Sequence, residues 1–154
     1  MILHFAYGAN MHRDVMAKYA PCARYVGVAK LENYRFIITA DGYASVESMR
    51  TAVVYGVLWG LTPRDRFSLD IWEGLACKLY AAETLAVRCA CRCRRALVYI
   101  AHARQGRLAK PGYMELVVAA ALERQLPEAY IRSLRRWLPS HSGGLRPRQL
   151  KEFR

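Results

Sequence analysis

No apolar run in this chain approaches the roughly 20 residues that an α-helix needs to cross a bilayer. A helical membrane span is therefore not expected. The N-terminal residues lack the basic stretch and the long apolar stretch of a secretory signal, so the expected compartment is the cytoplasm. The cysteines number five, an odd count that argues against a disulfide framework in that setting. No spacing typical of nucleic-acid modules is present: there is no RNA-recognition aromatic pair, no zinc-finger spacing and no helix-turn-helix pattern. The four histidines, His4, His12, His102 and His141, show neither metal-ligand spacing nor the company of a nucleophile and an acid. They read as structural or surface residues. No internal repeat is visible.

What is present describes an ordinary folded protein. A chain of 154 residues suits one domain and can bury a core without disulfides or a structural metal. Hydrophobic residues make up 54% and charged residues 23%, which excludes a disordered chain. The formal charge is +12, from 24 Lys and Arg against 12 Asp and Glu. Most of the excess is arginine, concentrated over 88–110 and from 124 onward. Such a charge could attract an anionic partner. Without a recognition motif it reads as a solvated basic surface, and nucleic acid is not an expected partner. Cys89, Cys91 and Cys93 look like a metal cluster at first sight. On one strand they would share a face with neighbours roughly 6.5–7 Å apart, too far for two sulfurs to grip one zinc easily. They are expected to be buried as small hydrophobes.

The pattern along the chain predicts strands first and helices last. Residues 1–7 read as a strand and 11–19 as a short helix stopped by Pro21. Residues 23–31 and 34–39, rich in β-branched and aromatic side chains, read as a hairpin. Asp41-Gly42-Tyr43 is a turn, 44–49 a short extended piece, and 52–61 a buried strand. Thr62-Pro63 supplies an N-cap and a proline at the first helical position. The helix expected there runs to about residue 73, with Gly74 as its C-terminal cap. Two more strands are expected over 79–87 and 94–101, with a turn near 88–92. A helix over 111–126 carries Met114, Val117, Val118, Ala121 and Leu122 on one side. Pro127 starts another helix through Tyr130, Leu134 and Trp137. The expected organisation is a single α+β domain over 1–140 and a basic tail over 141–154.

The run Tyr7-Gly8-Ala9-Asn10-Met11 follows the first strand. A glycine, a small residue and an asparagine in a tight turn bare successive backbone N–H groups. Such a nest can hold a carboxylate. A second segment holds Val57-Leu58-Trp59-Gly60-Leu61 and Leu69-Asp70-Ile71-Trp72-Glu73-Gly74. Glu73 stands between Trp72 and Gly74, in apolar company that favours the protonated carboxyl. It could act as a general acid–base or be a surface residue at a helix end.

Taken in order, these segments resemble the gamma-glutamylcyclotransferase-like family. Tyr7-Gly8-Ala9-Asn10 looks like its Tyr-Gly-Ser-Asn loop. Gly42-Tyr43-Ala44-Ser45-Val46 resembles its Gly-x-Ala-[Ser/Asn/Thr]-[Val/Ile] segment, and Val57-x-Trp59 and Leu69-Asp70-x-x-Glu73-Gly74 resemble two further elements. Tyr80 falls where the family has a tyrosine after the Glu-Gly. Pro111-Gly112-Tyr113 and Leu126-Pro127-x-x-Tyr130 resemble its C-terminal helices. The resemblance implies a small mixed β-barrel or curled sheet with helices outside. It also implies closure of a γ-glutamyl group to 5-oxoproline with release of an amino acid or amine, without cofactor or metal.

On that resemblance Glu73 is the catalytic residue, and Tyr7, Gly8, Ala9 and Asn10 hold the glutamyl α-carboxylate. Tyr80 and Tyr113 either line the substrate pocket or simply pack. Asp70, the rival carboxylate, is expected to cap or pair structurally, and Trp59 and Trp72 to belong to the core. Ala9 replaces the family's serine, which costs little if the loop works through backbone N–H groups. The expected partner is a small γ-glutamyl substrate, and a homodimer is compatible with these readings. Two alternatives stay open: an enzyme for a pathway-specific γ-glutamylated amine, and a non-catalytic binding protein on the same scaffold.

Overall fold

The computed structural model describes residues 1–140; the expected basic tail lies outside them. Five strands close into a barrel: β1 (Ile2–Ala6), β2 (Arg24–Ile38), β3 (Ala44–Leu61), β4 (Tyr80–Cys89) and β5 (Arg92–Ala101). Their order around the barrel is β1-β3-β2-β4-β5. Neighbours are antiparallel except at the closing seam, where β1 lies parallel to β5 with His4 opposite Leu97. Among the described residues the α-helices are α1 (Arg13–Tyr19), α2 (Pro63–Trp72), α3 (Tyr113–Glu123) and α4 (Glu128–Arg135). The mixed small barrel with flanking helices is the fold expected from the resemblance. No described helix is long and apolar enough to cross a membrane.

Residues 23–31 and 34–39 do not form the expected hairpin with each other. They are one strand, β2, and its partner is β3, which likewise joins the two pieces read at 44–49 and 52–61. The apparent break is a bulge. Asn33 and Thr51 both take the left-handed backbone conformation, with φ 62° and 68°. The register shifts between Glu32 and Tyr34, and the Thr51 N–H donates to Asn33 Oδ1 (3.2 Å). A bulge bends two long strands without ending them, so they can curl round the barrel. The true turn is at Asp41-Gly42, where Gly42 has φ 84°.

The cysteine expectation is also corrected. The hairpin between β4 and β5 turns at Ala90, which adopts φ 51° without being glycine. Cys89 therefore ends one strand, Cys91 sits in the turn, and Cys93 is the second residue of the next strand. Cys91 and Cys93 are exposed and Cys89 half-buried, because β5 enters the core only from Ala96 onward. Cys22 and Cys77 are exposed as well.

The core fills the barrel and the space under α3. Phe5, Leu31, Val54, Leu58 and Val98 are buried inside with Met114 and Val117 of α3. Leu122, expected on that buried side, is exposed. On α4, Tyr130, Ile131 and Leu134 are buried. Trp137 meets Phe36 edge-on at 6.4 Å.

Helix α2 starts as its local sequence dictates. The Thr62 side chain accepts from the Asp65 N–H (3.1 Å), and the Asp65 carboxylate accepts from the Thr62 N–H (3.0 Å). This reciprocal pair satisfies donors that a helix start leaves open. Asp65 also accepts from the Cys22 N–H (3.1 Å), tying α2 to the turn that follows α1. Burial alone would push the Asp65 carboxyl up, but these hydrogen bonds hold it below its usual value. Thr62→Ala should lower unfolding free energy by about 1 kcal/mol, the usual cost of a lost N-cap. Asp65→Ala should cost more, because the Cys22 N–H also loses its acceptor. Urea unfolding of both variants measures the order.

Candidate active site

The loop after β1 is built around two tyrosines from distant parts of the chain. The Tyr113 hydroxyl, on α3, accepts from the Ala44 N–H (3.3 Å) and, at longer range, from the Ala9 N–H (3.4 Å). The Tyr80 hydroxyl, on β4, donates to the Ala44 carbonyl (2.8 Å). The start of β3 is thus clamped on both its backbone groups. Gly8 passes directly beneath Tyr113. A Cβ at Gly8 would stand 2.8 Å from the Tyr113 hydroxyl and 3.2 Å from the Ala44 Cβ, so only glycine fits without a shift. The Tyr7 hydroxyl donates to the Tyr99 carbonyl. Burial, with Tyr80 and Glu73 close by, pushes the Tyr7 phenol well above its ordinary value. It remains a protonated donor.

Glu73 arrives from the other side on the end of α2. Its N–H donates to the Leu69 carbonyl (2.8 Å), and Leu69 is fully buried. Gly74 then takes φ 68° and turns the chain away, as a glycine past a helix end commonly does. The Glu73 carboxylate faces a wall of phenols. With burial as the larger cause, it helps to raise Tyr7, Tyr99 and Tyr113 above their ordinary values. The Asn10 amide Nδ2 donates to Glu73 Oε1 (3.4 Å) and to His4 Nε2 (3.2 Å). On the far side of the ring, His4 Nδ1 lies 3.2 Å from the Leu97 carbonyl.

These residues surround one cleft, open at its mouth. All seven residues singled out in the sequence line it: Tyr7, Gly8, Ala9, Asn10, Glu73, Tyr80 and Tyr113. Tyr80 and Tyr113 therefore both pack and face the cleft. Asp70 stands back from it, accepting from the Tyr99 hydroxyl (2.6 Å) and pairing with Arg66 (3.4 Å). Trp59 is buried in the core. Trp72, expected there too, is half-buried, stacks on Tyr19 at 4.5 Å and reaches the cleft. His4, Tyr43 and Tyr99 also line the cleft. Of these, only Tyr43 stood inside a motif. Among the described residues no three His, Cys, Asp or Glu side chains stand together as a metal site would require.

A sequence model of the AIG2-like family matches residues 53–134. The chain belongs to the AIG2-like family. The barrel is also similar to solved structures across nearly its whole length. One, named gamma-glutamyl cyclotransferase, superposes with a TM-score of 0.88 at 21% identity, covering 97% of this chain and 95% of the other. An uncharacterized protein from Homo sapiens gives 0.87 at 21% identity, covering 99% and 97%. YkqA from Bacillus subtilis gives 0.77 at 23% identity, covering 93% of this chain and 56% of YkqA. At these identities the likeness establishes the AIG2-like barrel as a shared fold and assigns no residue a role. No curated protein matches the chain by sequence.

Buried His4 generates a pH signature. The Leu97 carbonyl can only accept, so the Nδ1 of His4 carries the ring proton and Nε2 the lone pair. Burial pushes the His4 pKa down from 6.5 to about 4. The unfolded chain therefore binds more protons between those two values. Stability from this group is complete above about pH 6.5 and declines as pH falls to 4, by on the order of 3 kcal/mol. Urea unfolding of wild type and His4→Gln at pH 7 and 4.5 should show a smaller acid loss in the variant.

Proposed function

We propose that this protein is a γ-glutamyl cyclotransferase, converting a γ-glutamyl amino acid or amine into 5-oxoproline and the free amino acid or amine. The observation that carries this reading is the meeting of the Gly8–Asn10 turn and the Glu73 carboxylate in one cleft, with Asn10 Nδ2 only 3.4 Å from Glu73 Oε1. The α-carboxylate and α-amine of a glutamyl group sit on one carbon. A site for it needs an anion nest and a proton acceptor side by side.

In this reading the α-carboxylate rests on the N–H groups of Gly8 and Asn10, since the Ala9 N–H is given to Tyr113. Glu73 takes a proton from the substrate's α-ammonium. The freed amine attacks the γ-carbonyl, forming the ring C–N bond and a tetrahedral oxyanion. The oxyanion then collapses, the original amide C–N bond breaks, and Glu73 returns the proton to the departing nitrogen. The ring nitrogen, left with two hydrogens by the attack, gives its surplus proton through Glu73 to the released amine, which leaves as an ammonium. Atoms and charge balance without a further reactant. Because the attack is intramolecular, the protein has mainly to hold a folded, near-attack conformer. The close wall of Tyr7, Tyr99 and Tyr113 is suited to this, because burial keeps all three phenols protonated and uncharged.

A panel of γ-glutamyl amino acids and amines, followed by mass spectrometry for 5-oxoproline, tests the proposal. Release should occur for at least one compound. Glu73→Gln keeps shape but cannot accept the proton, and it should lower turnover by roughly 10²–10⁴-fold, the usual worth of a general acid–base. Near-normal turnover in that variant would contradict the assignment.

A further inference from the structure

We infer that His4 is a positioning residue for the cyclotransferase step, acting through Asn10 on the Glu73 carboxylate. This inference rests on the function proposed above. It follows from a chain of hydrogen bonds with only one consistent direction. The Leu97 carbonyl has no proton to give, so His4 Nδ1 donates to it across 3.2 Å. A neutral imidazole has one N–H, which leaves His4 Nε2 as an acceptor. The atom 3.2 Å from Nε2 must then be the Asn10 NH₂ and not its carbonyl oxygen. The same NH₂ has a second hydrogen, and Glu73 Oε1 lies 3.4 Å away to accept it.

Each member of the chain has little freedom to rearrange. His4 is 1% exposed and Asn10 8%. The Tyr99 ring lies against the His4 ring at 5.3 Å and 61°. Tyr99 is itself held through its hydroxyl to Asp70 and through its carbonyl to Tyr7. His4 is anchored on β1 at its pairing point with β5. The barrel seam thus fixes a ring, the ring fixes the face of an amide, and the amide fixes one oxygen of Glu73. The substrate amine then meets a carboxylate whose orientation is already set.

An apolar side chain at position 4 would remove the acceptor. The Asn10 carboxamide would then keep the Glu73 carboxylate as partner but lose its anchor on the barrel seam, so the carboxylate would no longer be held in the productive position by a fixed donor. Glutamine at position 4 can offer an amide oxygen near the place of Nε2. Supporting groups of this kind are worth about 10–100-fold where their effect on metal-bound ligands is known, and a similar range is expected here.

Two readouts test the inference. Nitrogen NMR of the ¹⁵N-histidine-labelled full chain at neutral pH should show His4 with a protonated, pyrrole-type Nδ1 and a pyridine-type Nε2. The opposite tautomer would overturn it, and this measurement needs no variant. Steady-state kinetics on the best γ-glutamyl compound should show His4→Leu losing about 10–100-fold in kcat with little change in KM, and His4→Gln recovering most of that loss. Wild-type kcat in His4→Leu, or equal losses in both folded variants, would overturn it. If wild type releases no 5-oxoproline from any compound, the function proposal fails, while the spectrum still decides whether His4 orients Asn10.

Discussion

Parallel pairing of β1 with β5 closes the barrel, and the cleft depends on that seam. It sets His4 against Leu97 and carries the chain out of β1 into the Tyr7–Asn10 turn at a fixed place. Because β1 is only five residues long, the seam and the turn cannot move independently. Tyr113 from α3 and Tyr80 from β4 then pin the turn's surroundings to Ala44. The loop itself is held by the Ala9 bond to Tyr113 of α3 and the Tyr7 bond to Tyr99 of β5, and a ligand does not have to organise it.

The opposing wall is set by different means. Helix α2 is held at its start by the Thr62–Asp65 pair and by the bond to Cys22. It ends at Glu73 because Gly74 takes a left-handed conformation. A helix fixed at both ends delivers one carboxylate to one point. Asp70, one turn earlier, is engaged by Tyr99 and Arg66. Among the described residues the cleft therefore presents one carboxylate, Glu73, to the turn that faces it.

Much of this is legible in the sequence where the chemistry is local. Thr62-Pro63 and Gly74 announce α2 almost to the residue, since caps depend on neighbours within a turn. The Tyr-Gly-Ala-Asn run and the Glu-Gly element mark the two sides of the cleft. The long strands are not legible, because the Asn33–Thr51 bulge is a contact between strands, and its residues look like a break when read singly. The cysteine run misleads for a related reason. Its turn at Ala90 has neither glycine nor proline, so alternation carries through a reversal of direction. His4 gives no signal because nothing nearby in the sequence explains it. Its partner Leu97 is 93 residues away, and only the barrel's register brings them together.

A crystal structure with 5-oxoproline bound measures most directly whether one small group spans both walls. The account predicts the carboxylate of 5-oxoproline against the N–H groups of Gly8 and Asn10, with its ring nitrogen within hydrogen-bond reach of the Glu73 carboxylate. A ring nitrogen turned away from Glu73, or product seated outside this cleft, would contradict it.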